Sequence, residues 1–273
     1  MSGEPKTGGV RMTAESRDLP QPAERLDEAQ RSATAIDGSA LGDGCDVAAA
    51  YRIQHKVLAR RYARGERAVG VKLGFTSRAK MRQMGVDSVI VGQLTDAMAT
   101  PDGGELALGE LIHPRVEPEI AFRIAWDADL SDRRRPLADA VDAVAPALEV
   151  IDSRYRGFRF SLQDVIADNT SAASFVVGPW SPFESVQNRA VRLRIRGRTV
   201  SVGSTAAILG DPVRSLQWLV DTRNEHGIEV SPGDIVLAGA ATAAVPLVGG
   251  VVSADVAGLG GVAFRAVSST QEG

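Results

Sequence analysis

The sequence predicts an α+β protein with a mixed or barrel-like β core and flanking helices. Apolar residues at helical spacing are confined to a few segments, and most of the chain after residue 66 consists of short apolar runs separated by Gly, Pro and Asp. With 273 residues and 44% hydrophobic residues, the chain has enough apolar side chains for a substantial core.

The N-terminal part is predicted to be helical after a disordered tail. Residues 1–22 are polar and rich in Gly, Pro, Ser and Glu, and they lack the apolar segment of a secretory signal. Helices are predicted over 22–32 and over 46–64, and Gly65 ends the second helix. We expect residues 23–268 to form one catalytic domain, helical to about residue 66 and β-rich after it.

Beyond residue 66 the pattern changes to that of strands and turns. The predicted elements follow in order: strand 68–75, short helix 77–85, a hairpin-like turn at 101–104, strand 116–125, short helix 136–144, strand 145–153, a polar segment ending as a strand over 164–178, two strands around the turn 196–198, helix 211–226 and the strands of 233–267. Asp211 and Pro212 suit the start of the last helix, and Gly227 suits its end.

Charge and composition exclude several classes of protein. A formal charge of −3 and a pI near 5.7 argue against a nucleic-acid partner. No apolar run reaches the roughly 20 residues of a membrane span. Cys45 is the single cysteine, so neither a disulfide framework nor a multi-cysteine zinc site is expected. We therefore expect a cytoplasmic protein.

Two glutamates stand out in the segment HPRVEPEIAF. Glu117 and Glu119 are two residues apart in a predicted strand, so they share one face at a separation of about 6.7 Å, while their apolar neighbours share the other. Pro118 lacks an N–H, which predicts an edge strand or a bulge at this point. Two like charges with apolar neighbours repel each other and lose hydration, so a compensating charge is expected.

A divalent cation would supply this compensation. Glu149 in the next predicted strand offers a third carboxylate, and an all-oxygen ligand set suits Mg²⁺ or Mn²⁺ rather than zinc. The alternative is an amphipathic strand whose glutamates face water and pair with Arg115 and Arg123.

Six motifs resemble a known enzyme family. They are GVKLGFTSRAKMRQMGVDS, LTDAM, HPRVEPEIAF, PALEVIDSRY, DVIADNTSAA and GDIVLAGAAT. In this order they resemble the hydratase/decarboxylase family, the 2-oxopent-4-enoate hydratases and 4-oxalocrotonate decarboxylases of aromatic meta-cleavage pathways. The resemblance implies a fold of the fumarylacetoacetate hydrolase C-terminal type and a metal site made by Glu117, Glu119 and Glu149.

Within that family the chain is more similar to the decarboxylases. Hydratases more often carry a tryptophan where this chain has Phe158. The implied reaction is the metal-dependent decarboxylation of 2-oxohex-3-enedioate to 2-hydroxypenta-2,4-dienoate and CO2. Because the ketone of the substrate and the cation together accept the electrons, no organic cofactor is expected.

The resemblance also suggests roles for further polar residues. Lys72 and Asp87 are the catalytic candidates, with a structural ion pair or a turn as the alternative for each. The candidates for substrate binding are Ser171, Thr242 and Arg154, against ordinary turn chemistry or exposure to solvent. Asp152 is the candidate for orienting Arg154 or a bound water.

Three other functions remain open from the sequence. The first is a 2-oxopent-4-enoate hydratase, which would use the same metal site. The second is a non-catalytic partner subunit, since the resemblance implies homo-oligomers and a complex of decarboxylase with the sister hydratase. The third is a metal-free β-rich binding protein.

Overall fold

The structure is a computed structural model, and it describes residues 21–42, 44–77, 81–82, 86, 88–132 and 136–268. The predicted disordered tail lies outside the described residues, apart from its last two positions. Most of the predicted helix 77–85 and the candidate Asp87 also lie outside them. Two mixed β-sheets with flanking helices confirm the predicted α+β class.

The three predicted long helices form where expected. α1 spans Pro22–Arg31, and α2 spans Val47–Ala63, where the side chain of Asp46 accepts a hydrogen bond from the first turn. A short helix, α3, spans Leu162–Ala167 and was not predicted, because its capping residues Ser161 and Asp164 belong to a six-residue element too short for a periodic pattern. α4 (Val213–His226) ends at Gly227, whose φ is 69°.

The larger sheet carries eight strands and holds the candidate site. Its main path runs β2-β1-β10-β4-β5-β6, with β11 beside β4 and β7 beside β5. The strands are β1 (Ala68–Gly74), β2 (Ile90–Thr95), β4 (Arg115–Ile124), β5 (Val141–Ile151), β6 (Ala172–Val177), β7 (Ser181–Pro182), β10 (Ile235–Ala240) and β11 (Val245–Pro246).

The smaller sheet packs against the first. Its order is β3-β13-β12-β8-β9, built from β3 (Glu105–Ala107), β8 (Ala190–Ile195), β9 (Arg198–Ser204), β12 (Gly250–Val256) and β13 (Gly260–Val267). The predicted hairpin around 196–198 is confirmed as β8 and β9. One apolar cluster joins the sheets, with Val116 and Leu148 from the first and Leu193 and Phe264 from the second.

Two local predictions need correction. The turn at 101–104 forms, but β3 after it pairs in parallel with β13, so there is no hairpin with β2. The helix predicted over 136–144 is one 3-10 turn, Leu137–Ala140, and β5 begins directly after it. Long-range strand pairing decides both outcomes, and it cannot be read from a local pattern.

Pro118 does not lie on an edge strand. β4 has β5 on one side and β10 followed by β11 on the other. The missing N–H is tolerated because the ladder is irregular here: the register between β10 and β4 shifts between Leu237 and Ala240, and β11 takes over at Val245. The predicted irregularity is thus present as a register shift between β10 and β4, although β4 lies in the interior of the sheet.

Strand directions bring several chain segments to one edge of the larger sheet. β1 is parallel to β10, which is antiparallel to β4, and β5 is antiparallel to both β4 and β6. The ends of β1, β5 and β10 and the starts of β4 and β6 therefore lie together. We call this the site edge. Within the described part of the chain, no helix is long and apolar enough to cross a membrane.

Candidate active site

The three predicted glutamates meet on one face of β4 and β5. Glu117 stands directly opposite Glu149 in the antiparallel register, and Glu119 is two residues further along the same face. One carboxylate oxygen from each lies within 4.8 Å of the others. The tertiary structure thus assembles the set that the sequence proposed.

Two of these carboxylates are buried without enough hydrogen-bond donors. Glu119 and Glu149 are each 1% exposed. Oε1 of Glu119 and both carboxylate oxygens of Glu149 accept no hydrogen bond from the described residues, although Oε1 of Glu149 lies 2.8 Å from the ammonium of Lys72. Buried carboxylate oxygens without donors are costly unless a cation occupies the space between them.

Lys72 supplies one positive charge to this cluster. It is 3% exposed on β1, and its Nζ donates to the carbonyl oxygen of Thr170 at 3.2 Å. Burial by itself would lower the pKa of Lys72, but the charge of Glu149, followed by that of Glu119, outweighs burial, and the pKa is raised. Lys72 therefore stays protonated at neutral pH.

The charge balance of the cluster fits a divalent cation. Burial raises the pKa of Glu119 well above its usual range, and the charge of Glu149 adds to the increase. Three ionised glutamates and one ammonium leave two negative charges, which one Mg²⁺ or Mn²⁺ would neutralise. The hard carboxylate oxygens are also the ligand type that these ions prefer. The residues present thus fit the implied metal.

The backbone of β10 positions one of the glutamates. The amide of Gly239 donates to Oε2 of Glu119 at 2.8 Å. Gly239 has a φ of 109°, and a Cβ there would lie 2.0 Å from Oγ1 of Thr76. Only glycine suits this position. The sequence analysis missed it, although the glycine inside the strand pattern GDIVLAGA was a signal of close backbone approach.

A strained turn covers the β1–β2 side of the cluster. Asn169, Thr170 and Ser171 have φ values of 48°, 55° and 58°, a left-handed run that is costly for residues other than glycine. Gly74 and Gly92 make room for it, because a Cβ at either position would approach atoms of this turn within 2.7 Å. Such strain is frequent at functional sites.

The turn is anchored to β2 and carries two buried hydroxyl groups. The side-chain amide of Asn169 donates to the carbonyl of Gln93 and accepts from the amide of Gln93. Oγ1 of Thr170 and Oγ of Ser171 are buried and have no hydrogen-bond partner among the described residues. Ser171 therefore lies in the segment that contacts Lys72, where the sequence placed a substrate-binding residue.

Arg154 has a structural environment rather than the predicted exposure to substrate. It is 3% exposed, and its guanidinium is engaged by the carboxylate of Asp168 and by the carbonyl oxygens of Asp152, Asp168 and Ala172. These contacts hold the start of the 169–171 turn. Arg154 thus supports the site from behind, because internal acceptors use four of the five N–H donors of its guanidinium.

Asp152 orders the entry to β4. Its carboxylate accepts hydrogen bonds from the amides of Ile112 and His113 at 2.7 and 2.8 Å. It touches Arg154 through its backbone carbonyl rather than through its side chain. The side chain of Asp152 therefore orients the backbone of residues 112–113 rather than the guanidinium of Arg154.

The side chain of Thr242 contacts β9 and its own loop. Its methyl group contacts β9, where a Cβ on Gly203 would lie 2.7 Å from Cγ2, and its hydroxyl donates to the carbonyl of Ala243.

The alternative was that the glutamates of β4 face water and pair with Arg115 and Arg123, and the contacts of these two arginines argue against it. Arg123 pairs with Asp142 at 2.9 Å, and the guanidinium of Arg115 lies 4.5 Å from the centre of the Phe158 ring. Neither arginine pairs with a glutamate of β4. Buried carboxylates with unused oxygens beside a buried ammonium are features of a metal-dependent enzyme.

Comparison with known proteins identifies the family. Residues 69–267 match the family model described as Fumarylacetoacetate (FAA) hydrolase C-terminal. The chain belongs to this family, which confirms the predicted fold type.

Named relatives narrow the class of reaction. The chain is 46% identical over 244 residues to a 4-oxalocrotonate decarboxylase of Pseudomonas sp, covering 89% of this chain and 95% of that protein. It is 38% identical to a 2-keto-4-pentenoate hydratase of Burkholderia vietnamiensis, covering 88% and 94%. Decarboxylases and hydratases of this kind are both lyases, and the chain is a lyase.

A solved structure supports the same assignment. The 4-oxalocrotonate decarboxylase from Pseudomonas putida G7, complexed with magnesium and adipate, superposes with a TM-score of 0.82 at 35% identity. The match covers 90% of this chain and 96% of that one.

Proposed function

We propose that the protein decarboxylates 2-oxohex-3-enedioate to 2-hydroxypenta-2,4-dienoate and CO2 with the help of Mg²⁺ or Mn²⁺. The observation that carries the proposal is the cluster of Glu117, Glu119 and Glu149. In it the buried carboxylates of Glu119 and Glu149 have oxygens that accept no hydrogen bond from the described residues, and Glu149 pairs with Lys72. The higher identity to a decarboxylase, 46% against 38% for a hydratase, favours decarboxylation.

The three glutamates would hold the cation. When bound, it would act as a Lewis acid toward the 2-oxo acid end of the substrate. Gly239 keeps one oxygen of Glu119 occupied, which leaves Oε1 free for a ligand role. The single ion-pair contact of Glu149 with Lys72 likewise leaves its second oxygen available.

Lys72 has the charge and location to assist bond breaking. When the C5–C6 bond breaks, its electron pair moves through C4 and C3 to the oxygen on C2, and CO2 departs. That oxygen then takes up one proton from solvent, which gives 2-hydroxypenta-2,4-dienoate. The ammonium of Lys72, kept protonated by its neighbours, stabilises the negative charge that develops there. The buried setting excludes water and strengthens this interaction.

A hydratase is the second candidate. The 38% identity to a 2-keto-4-pentenoate hydratase supports it, and the same carboxylate cluster would serve it. We also propose, from the family alone, a homo-oligomer that associates with the sister hydratase.

One experiment separates these functions. Purified protein with Mg²⁺ is incubated with 2-oxohex-3-enedioate and, separately, with 2-hydroxypenta-2,4-dienoate. Release of CO2 from the first substrate supports the decarboxylase, and formation of a 4-hydroxy-2-oxo acid from the second supports the hydratase. Glu149→Gln should abolish either activity. Inactivity of the folded, Mn²⁺-binding wild type on both substrates would favour a non-catalytic subunit.

A further inference from the structure

Arg115 lies in the same row of side chains as the metal-ligand candidates. Alternate residues of a strand share a face, so Arg115, Glu117 and Glu119 point the same way, with Arg115 about 6.7 Å from Glu117 along β4. Arg115 and Glu117 are half-buried, Glu119 is buried, and Ala121 is fully buried. The row therefore runs from the site edge into the core, and Arg115 occupies its outer end.

The inner end of this row is closed by apolar side chains. Ala121 belongs to a buried cluster whose other members include Ala145, Ala147, Leu237 and Phe175. A ligand thus approaches the glutamates from the site edge, and the part of it that extends away from them lies toward Arg115.

The guanidinium of Arg115 is held in place but keeps its hydrogen-bonding capacity. It lies 4.5 Å from the centre of the Phe158 ring, which in turn lies 4.9 Å from the ring of His113. Stacking on an aromatic face leaves the N–H groups in the guanidinium plane available. No carboxylate among the described residues forms an ion pair with Arg115.

Three other described cations are already engaged. Lys72 pairs with Glu149, and Arg154 is enclosed by Asp168 and backbone carbonyls. Arg156 forms an exposed pair with Asp37 at 2.6 Å. Of these four cations, Arg115 alone has no anionic partner.

We infer that Arg115 binds the distal carboxylate of a dicarboxylic 2-oxo acid and sets the preference for this substrate class over monocarboxylic 2-oxo acids. The inference rests on the proposed function, because the 2-oxo acid end must lie at the glutamates. The distance of about 6.7 Å between Arg115 and Glu117 along β4 is comparable to the length of the four carbon–carbon bonds that join C2 to C6 of the substrate. An arginine fork suits a carboxylate at such a distance.

The position of Arg115 also predicts how it affects kinetics. The carboxylate that it binds is the group that leaves as CO2, so the interaction is strongest before the bond breaks. It therefore stabilises the bound substrate rather than the transition state. Replacing Arg115 should therefore raise KM without lowering kcat.

Binding of unreactive analogues tests the inference without turnover. The Mn²⁺-loaded protein is titrated calorimetrically with 2-oxohexanedioate and with 2-oxohexanoate, which lacks the distal carboxylate. We expect Arg115→Gln to weaken binding of the dicarboxylate by about 10- to 100-fold, as for a lost charge-assisted hydrogen bond, and to change the monocarboxylate affinity less than about 2-fold. Arg115→Lys should fall between Arg115→Gln and the wild type.

Arg123→Gln is the matched control, because Arg123 lies on the same face of β4 but is paired with Asp142. It should leave both affinities unchanged. Equal weakening of both analogues by Arg115→Gln, or no change in either, would overturn the inference. If Arg115→Gln does not fold, Arg115→Lys with wild-type discrimination would also overturn it. Failure of the wild type to bind Mn²⁺ or release CO2 would instead refute the proposed function.

Discussion

Glu117 and Glu149 form a directly opposed pair on two antiparallel strands. Side chains at such positions have Cβ atoms about 4.5–5.5 Å apart, and like charges there destabilise a sheet. Glu119 adds a third carboxylate to the same face, and Lys72 offsets one charge. The arrangement is unfavourable for the metal-free protein and would become favourable with a dication, so we expect metal binding at this cluster to raise stability.

Removal of one carboxylate should separate metal binding from folding. In Glu119→Gln the amide oxygen still accepts from Gly239, and a buried acidic group is lost, so the metal-free variant should be at least as stable as the wild type. Mn²⁺ should no longer raise its Tm, whereas the wild type gains about 2.7 kcal/mol at a concentration of 100 times Kd. Thermal unfolding with and without Mn²⁺ measures both effects.

The control for this prediction is Glu105→Gln, an exposed glutamate on β3. It should retain the response of the wild type to Mn²⁺. An undiminished Mn²⁺ shift in Glu119→Gln would contradict the assignment of Glu119 as a metal ligand.

Loss of the buried ammonium should destabilise the metal-free protein. Lys72→Met leaves Glu149 without its partner, so the free energy of unfolding should fall by about 3–5 kcal/mol. Mn²⁺ should restore part of this loss, because the cation replaces the missing positive charge. We expect kcat to fall at least about 100-fold even when the variant is saturated with Mn²⁺.

Denaturant unfolding and CO2 release measure these two effects, with the exposed Lys56→Met as control. A Lys72→Met protein with wild-type kcat would show that Lys72 is only a structural ion-pair partner.

Space for the strained turn should depend on a glycine of β2. In Gly92→Ala the new Cβ would lie 2.7 Å from the carbonyl oxygen of Asn169, so the turn must shift relative to Lys72. We expect a loss of about 1–3 kcal/mol in stability and a reduced kcat. Mn²⁺ affinity should change little, because β2 carries none of the three glutamates.

Gly42→Ala is the matched control, since a Cβ there meets nothing within 4 Å. If Gly92→Ala reduced Mn²⁺ affinity as strongly as kcat, the turn would be part of the metal site rather than of the Lys72 environment. Calorimetric Mn²⁺ titration beside the CO2 assay gives the answer.

Stability should depend on pH through Asp168. Burial raises the pKa of this carboxyl to about 6, against the lowering effect of Arg154, and the charge of Asp152 adds to the increase. The native carboxyl thus binds its proton more tightly than the unfolded one. The contribution of Asp168 to the free energy of unfolding should therefore fall as the pH rises from about 4 to about 6 and stay level above that.

The variant Asp168→Asn should lose this pH-dependent component. It should also be less stable than the wild type throughout, because the guanidinium of Arg154 loses its carboxylate partner. Urea unfolding of both proteins across this pH range isolates the effect as a difference. A difference that does not vary with pH would disprove the raised pKa.

Local sequence patterns were sufficient for part of the site. Alternation in β4 placed Glu117 and Glu119 on one face, and the charge conflict between them indicated a cation. Helical spacing and end signals likewise located α1, α2 and α4 within one or two residues. These features depend on neighbours along the chain, which a pattern records directly.

Other site features depend on which distant segments meet. Arg154 is polar in sequence and was expected at the substrate, but the fold encloses it with Asp168 and three carbonyl groups. Gly239 was not singled out, because its role needs the close approach of Thr76 and Glu119. Every residue type has the same backbone carbonyl, and all but proline have the same amide N–H. A sequence pattern therefore does not show which backbone groups become hydrogen-bond partners.

By itself, then, the sequence determined the fold class and the reactive groups that are present. It predicted an α+β chain with carboxylates and a lysine in strands, and its motifs resemble one family. The tertiary structure decided which of these groups share a site. The register of β5 against β4 placed Glu149 opposite Glu117, and the pairing of β1 with β10 brought Lys72 to Glu149. Strand pairing is non-local, because each ladder is selected by packing of the whole sheet rather than by the residues of one strand.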